Sequence, residues 1–214
     1  MQGLYEMSAE PIDRTYPHLA FVAEKALIAS FFLLLQQGVK IRRRVGCSVD
    51  VFLRQEIGAA PETIEKIQSI ILDGKPVDDI GFALIHDGSV LALSAAMPGL
   101  VGATLRRGGA YSSFRSIITY HETGKACSLG EGWISLKIFN LLMAELGPDL
   151  LRRGALLRST DILGFLMEWV EEFRQGCNVT LDGKSIDVGK LGKSATLAEK
   201  DQVFVTVDAG PAWA

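Results

Sequence analysis

The sequence predicts an α+β protein made of two similar units, each a small mixed sheet packed by one main helix. Three observations predict it. The segment Ile71-Leu72-Asp73-Gly74-Lys75-Pro76-Val77-Asp78 returns in degraded form as Thr180-Leu181-Asp182-Gly183-Lys184-Ser185-Ile186-Asp187. Each copy follows a capped amphipathic helix and leads to a strand opened by an acidic turn, Asp87-Gly88 in one and Asp201-Gln202 in the other. The composition, 48% hydrophobic and 22% charged, supplies a core and excludes a disordered chain. Asp-Gly-Lys alone is an ordinary hairpin turn. With the helix and the strand recurring beside it, it describes a repeated unit in which one helix seals one face of a twisted sheet.

Taken in order, residues 1 to 17 hold Pro11 and Pro17 without periodicity and read as an extended arm. His18 to Gln37 fits a helix at first, while the apolar block Phe31 to Leu35 fits a buried strand as well as a helix. Gly38 to Gly46 reads as a strand with Val39, Ile41 and Val45 on one face and Lys40, Arg42 and Arg44 on the other, an alternation that Arg43 spoils. Ser48 is positioned as an N-cap and Asp50 in the first turn complements the helix dipole. The helix that follows carries Val49, Phe52, Leu53 and Ile57 on one stripe and ends at Gly58. Pro61 restarts a short helical turn, and strands are expected at Ile67 to Leu72 and Asp87 to Ala95.

Pro98 to Ala110, with Gly99, Gly102, Gly108 and Gly109, reads as the loosest stretch and as the domain boundary. Phe114 to Tyr120, Trp133 to Phe139 and Ala155 to Arg158 have strand character, and Gly147-Pro148 marks a turn. A second amphipathic helix starts after Ser159 or Thr160. It places Ile162, Phe165, Leu166, Trp169, Val170 and Phe173 at three- and four-residue steps and stops at Gly176. Strands Cys177 to Leu181 and Gln202 to Val207 complete the chain.

Hairpin, helix, strand, Asp-Gly-Lys turn, final strand is the order of the β-grasp fold. Residues Ile70 to Asp78, Asp87 to Leu93 and Leu105-Arg106-Arg107-Gly108-Gly109 resemble ubiquitin and the small bacterial sulfur-carrier proteins, and the second unit is similar to them more weakly. The expected organisation is an arm over 1–25, a β-grasp-like domain over 26–109 and another over 110–214. In those families a terminal Gly-Gly carboxylate is adenylated and becomes a thiocarboxylate or thioester. The resemblance therefore implies Gly109 as the reactive residue of a processed carrier, with Arg106 and Arg107 steering the tail. Here Gly109 is internal and a further domain follows, so a glycine linker is the default.

The bulk properties narrow the function classes. A chain of 214 residues fits one large domain or two small ones, and a net charge of −3 creates no field for nucleic acid or an anionic membrane. Cys47, Cys127 and Cys177 are scattered and odd in number, which points to a reducing cytosol rather than a disulfide framework. The apolar run Ala26 to Leu35 falls short of the ~20 residues of a membrane span. The segment before it, with Glu6, Glu10 and Asp13, lacks the basic start of a signal peptide.

Candidate chemistry is sparse. Arginine forks suit phosphate and carboxylate partners. Of the basic clusters, Arg42-Arg43-Arg44 and Arg152-Arg153 read as a solvated strand face or a salt-bridged surface. Arg106, Arg107 and Arg115 beside Gly108 and Gly109 are the candidate anion-binding residues. His121-Glu122 with Cys127 and Ser128 places a base and a nucleophile in one loop, but no nucleophile elbow, Cys-x-x-Cys or His-Glu-x-x-His occurs. His18, His86 and His121 show no metal-ligand spacing. Gly189-Lys190-Leu191-Gly192-Lys193-Ser194 lacks the leading glycine of a phosphate loop, having Asp187 in its place. The reading is a cytosolic binding or scaffold module without catalytic residues, metal or cofactor, which uses an exposed sheet face or edge on another protein, a second copy of the chain included. A carrier processed at Gly109 and an enzyme with an Arg-lined anion site are the alternatives.

Overall fold

The computed structural model describes residues 15–115, 118–121 and 129–210. Most of the arm therefore lies outside the described residues, as do Glu122, Cys127 and Ser128. In chain order the elements are β1 (His18–Ala23), a 3-10 segment Lys25–Phe31 running into α1 (Phe32–Gln37), and β2 (Val39–Val45). Next come α2 (Val49–Val51), continued as a π-helical stretch Phe52–Ile57, α3 (Pro61–Lys66), β3 (Ser69–Leu72), β4 (Lys75–Pro76) and β5 (Val90–Ser94). Then follow α4 (Gly99–Leu105), a 3-10 turn Ser112–Arg115, β6 (Gly130–Phe139), α5 (Leu142–Arg153), β7 (Ala155–Arg158), α6 (Ser159–Glu168) and α7 (Val170–Gly176). The chain ends with β8 (Cys177–Leu181), β9 (Lys184–Ser185), a 3-10 turn Val188–Lys193, α8 (Ala195–Ala198) and β10 (Gln202–Ala209).

The protein is α+β with mixed sheet, as the sequence predicts. Two compact units divide the chain: a continuous unit, Ala26–Leu150, and a split unit made of the residues up to Lys25 and those from Leu151 onward. This differs from the expected domains 26–109 and 110–214. Pro98 to Ala110 is no linker: it contains α4, lies inside the continuous unit, and is tied to β3 by Arg107 N–H donating to Gln68 O at 2.7 Å. Gly102 is needed there because a Cβ would collide with the Met97 carbonyl. Gly147-Pro148 likewise sits inside α5 rather than at a turn, with Gly147 so close to Phe32 that a Cβ would lie 2.7 Å from its ring. Packing has overridden both local breakers.

The continuous unit orders its strands β4-β3-β5-β6-β2 and the split unit β9-β8-β1-β10-β7. The senses match position by position. β5 and β6 are parallel, as are β1 and β10; the other neighbours within each sheet are antiparallel. The two Asp-Gly turns match in detail. Asp73 and Gly74 have φ of 51° and 79°, Asp182 and Gly183 of 50° and 77°, the paired positive φ of a two-residue hairpin that matches strand twist. Asp73 N–H donates to Val90 O at 2.9 Å and its Oδ1 accepts from Val90 N at 2.7 Å. Asp182 does the same to His18, at 2.8 Å both ways. Ser135 N–H donates to Ser89 O and Phe204 N–H to Pro17 O, each at 2.9 Å.

These bonds make β1 the counterpart of β5 and β10 the counterpart of β6. The expected equivalence of the Gln202 strand with the Asp87 strand is corrected accordingly: the strand beside the turn is chosen by pairing, and in the split unit it comes from the start of the chain. The segment 18–37 is also settled, as a strand followed by helical turns, so Phe31 to Leu35 is not a strand. Ser112–Arg115 is a 3-10 turn where a strand over Phe114 to Tyr120 was expected.

Each sheet buries one face under its helices. In the continuous unit Val49, Phe52, Leu53 and Ile57 are buried, as are Ile41, Ile70, Leu72, Leu93 and Leu136, all 2% exposed or less. Ser48 caps the helix by accepting from Val51 N, and Gly58 ends it at φ 81°. In the split unit Ile162, Phe165, Leu166 and Phe173 are buried, as are Leu19, Phe21 and Val205. The ring centroids of Phe21 and Phe165 lie 6.3 and 5.5 Å from that of Phe173. Each such side chain contributes ~1.5–3 kcal/mol by leaving water. The helix expected to run unbroken to Gly176 breaks at Trp169, whose φ is −124°.

Candidate functional site

The arginine–glycine segment is the first place to look, and the fold itself uses its donors. The Arg115 side chain is 3% exposed. Its Nη1 and Nη2 grip the Asp78 carboxylate at 3.0 and 2.6 Å, Nε donates to Thr104 O at 2.5 Å, and further bonds reach Thr119 Oγ1 and Arg106 O at 3.0 and 3.2 Å. Those five bonds match the five N–H donors of a guanidinium, so Arg115 has none left for an external anion. Asp78 Oδ1 also accepts from Gly108 N at 3.3 Å, and Gly109 N–H donates to Arg106 O at 3.1 Å. The structure thus gathers Arg106, Gly108, Gly109 and Arg115 about Asp78 and spends the Arg115 donors within the chain. Arg106 is exposed and Arg107 half-buried, but Arg115 is a structural clamp and Gly108 and Gly109 are folded backbone.

The Arg42-Arg43-Arg44 run is likewise built in. Arg42 pairs with Glu131 at 3.1 Å and Arg44 with Glu56 at 2.7 Å. Arg43, which spoils the alternation, keeps its place on the inner face of β2 at 5% exposure, with Nη1 donating to Arg42 O. Gly189 to Lys193 forms a 3-10 turn capped by Asp187, which accepts from Gly189 N at 2.8 Å. It is not a phosphate cradle.

Two depressions of the continuous unit stand apart from the Arg44–Glu56 pair, which borders a third. The first is on the outer face of its sheet, beside the start of α4. Strand alternation sends Ile70, Leu72, Leu91, Leu93, Leu136 and Ile138 inward, and Ser69, Ile71, Ala92, Ser94 and Phe139 outward. The small residues Ala92, Ser94 and Ala96 leave a pocket of about 240 Å³, walled by Met97, Pro98, Phe139 and Asn140. Its rim is hydrogen-bonded: Asn140, at φ 60°, donates from Nδ2 to Ser94 Oγ at 3.0 Å and to Ala96 O, and Ser94 Oγ donates to Ala96 O at 3.0 Å. Leu141, next in the chain to Asn140, is 71% exposed, and Leu100 and Val101, two and three residues past Pro98, are 73% and 61% exposed.

The second is a polar cleft of about 410 Å³ at the Asp73-Gly74 turn, lined by Lys75, His86, Asp87, Ser89, Tyr120 and His121 with Asp73 and Gly88. Tyr120 N–H donates to Pro76 O at 2.8 Å, which brings His121 to the edge of β4. Asp73 Oδ2 accepts from Ser89 Oγ at 3.1 Å, Ser89 Oγ accepts from His86 N at 3.1 Å, and Asp87 Oδ1 accepts from Trp133 N at 2.7 Å. Sequence reading placed His121 in a candidate loop and weighed His86 only for metal-ligand spacing. Nothing in the spacing of the two histidines announces that they line one cleft.

No trio of metal-ligating side chains stands together among the described residues, and no described helix is long and apolar enough to cross a membrane. Burial, with Glu24 adding to it, pushes the Cys177 thiol up to about 12, so it is an inert thiol rather than a nucleophile. No protein-family model, curated protein or solved structure matches the chain.

Proposed function

We propose that this is a non-catalytic binding protein built from two β-grasp-like units, and that it engages another protein through the outer sheet face of the continuous unit. The observation that carries this reading is the apolar pocket on that face, with exposed Leu100, Val101 and Leu141 within three residues of its lining in the chain. A concave pocket of this size takes one large apolar or aromatic side chain, the usual anchor of a protein interface. Exposed apolar surface around it adds the contact area that excludes water. The β-grasp assignment is supported by the recurring order of antiparallel pair, helix, strand, Asp-Gly turn and neighbouring strand, although β6 and β10 complete their pairs late in the chain. Cysteine thiols at Cys47 and Cys177 fit a reducing compartment.

The processed-carrier alternative has no geometric feature in its favour. β6 lies beyond Gly109 and pairs with both β5 and β2, so cleavage there would sever the middle of a sheet.

Peptide display tests the anchor. Selection on the wild-type chain, counter-selected on Ala92→Trp, is expected to enrich a motif with one large apolar residue whose replacement by alanine abolishes binding. Failure to find any motif that distinguishes the two chains rejects the pocket as an anchor. Selection of a stretch of the chain's own sequence identifies a second copy as the partner.

A further inference from the structure

Resting on the apolar pocket's role as the anchor site of a partner protein, we propose that its occupant is a tyrosine side chain, seated with its phenol hydroxyl hydrogen-bonded to Ser69 Oγ. Of the residues that line the pocket, Ser69 and Ser94 are the most buried, at 2% and 5% exposure, so they form its floor. They stand opposite each other across the β3–β5 pair. Ser94 Oγ is committed: it donates to Ala96 O and accepts from Asn140 Nδ2, at 3.0 Å each. Ser69 Oγ is shielded from solvent and has no hydrogen-bond partner among the described residues. Strand alternation holds it on the pocket side with Ile71, while Ile70 and Leu72 enter the core.

A buried hydroxyl without a partner carries a desolvation cost that a bonding occupant recovers. The lining holds no charged side chain, so the group that meets Ser69 is neutral. The walls, Ile71, Ala92, Met97, Pro98 and Phe139, are apolar, so the body that fills them is apolar as well. Leucine, methionine and phenylalanine have that body without a polar tip. Serine and threonine have the hydroxyl without the length. Tyrosine carries its hydroxyl on the long axis of the ring, at the end that reaches the floor, whereas the N–H of tryptophan lies on the flank of the indole. A phenol and a serine hydroxyl can each donate and accept, so the bond forms in either sense.

The test uses side-chain analogues. The full-length chain, methyl-labelled at alanine and methionine, is titrated with 4-methylphenol and with toluene, and the NMR signals of Ala92, Ala96 and Met97 report binding. 4-Methylphenol is expected to bind about fivefold tighter than toluene, the worth of one neutral hydrogen bond, although it is the less apolar compound. In Ser69→Ala that order should reverse, and in Ala92→Trp both should cease to bind. Removing an unbonded hydroxyl should also raise the urea midpoint of Ser69→Ala. A lowered midpoint shows that the hydroxyl is bonded within the chain and overturns the proposal. Toluene binding the wild type as tightly as 4-methylphenol overturns the tyrosine and leaves the apolar anchor standing. A larger loss on Ser69→Ala for 3-methylindole than for 4-methylphenol replaces tyrosine by tryptophan. Pocket signals that none of the three compounds moves reject the anchor site, and the tyrosine with it.

Discussion

At the scale of single residues, Arg115 and Asp78 dominate the continuous unit's polar interior. The guanidinium is almost wholly buried while the carboxylate keeps 36% of its side-chain exposure. Asp78→Ala leaves a buried cation without its counter-charge and frees Gly108 N as well. Removing one partner of a fully buried pair costs ~3–5 kcal/mol, and the partial exposure of Asp78 reduces this to ~2–3 kcal/mol. Urea denaturation measures it; a loss under half a kilocalorie would show that water replaces the carboxylate. Arg115 was legible in the sequence only as an arginine near glycines. Whether such a residue faces solvent or a carboxylate depends on Asp78, far away in the chain, and local reading has no access to that pairing. The same limit hid His86 as the companion of His121.

At the scale of elements, the Asp-Gly turns show what local chemistry does decide. Positive φ at both turn positions is cheap for glycine and tolerable for aspartate, so the hairpins could be read from composition. The helices were legible for a similar reason: the stripes Val49-Phe52-Leu53-Ile57 and Ile162-Phe165-Leu166-Phe173 are the residues the fold buries. Turn and strand are coupled at His18. Burial lowers the His18 pKa and the Asp182 charge partly restores it. Asp182→Ala should therefore lower it further and remove the acceptor for His18 N, at ~1–2 kcal/mol of stability. A lowered native pKa means that the unfolded chain binds the proton more readily. The His18 contribution to stability is thus present above the unfolded value of 6.5 and is lost as pH falls below it, more so in the variant. NMR titration of His18 in both chains checks the direction, and an unmoved or raised pKa contradicts it.

At the scale of the whole molecule, the continuous unit closes only when β6 arrives, after Gly109 and the glycine-rich stretch. A chain ending at Gly109 leaves β5 and β2 each without its β6 partner. Residues 26–109 are therefore expected to stay unfolded and 26–150 to fold, read from the dispersion of their amide NMR spectra. A folded 26–109 would show that the sheet closes without β6 and would revive the carrier alternative. By itself the sequence determined the α+β class, the two turns, the two main helices with their buried stripes, and most strands, because these depend on neighbours within one or two turns of chain. Only the tertiary structure decided which strands lie side by side, that β1 completes a unit whose other strands follow residue 150, that Pro98 to Ala110 is packed rather than loose, and where Arg115, His86 and His121 end up. Strand pairing and ion pairing join residues distant in the chain, and their free energy exists only once both partners have been brought together.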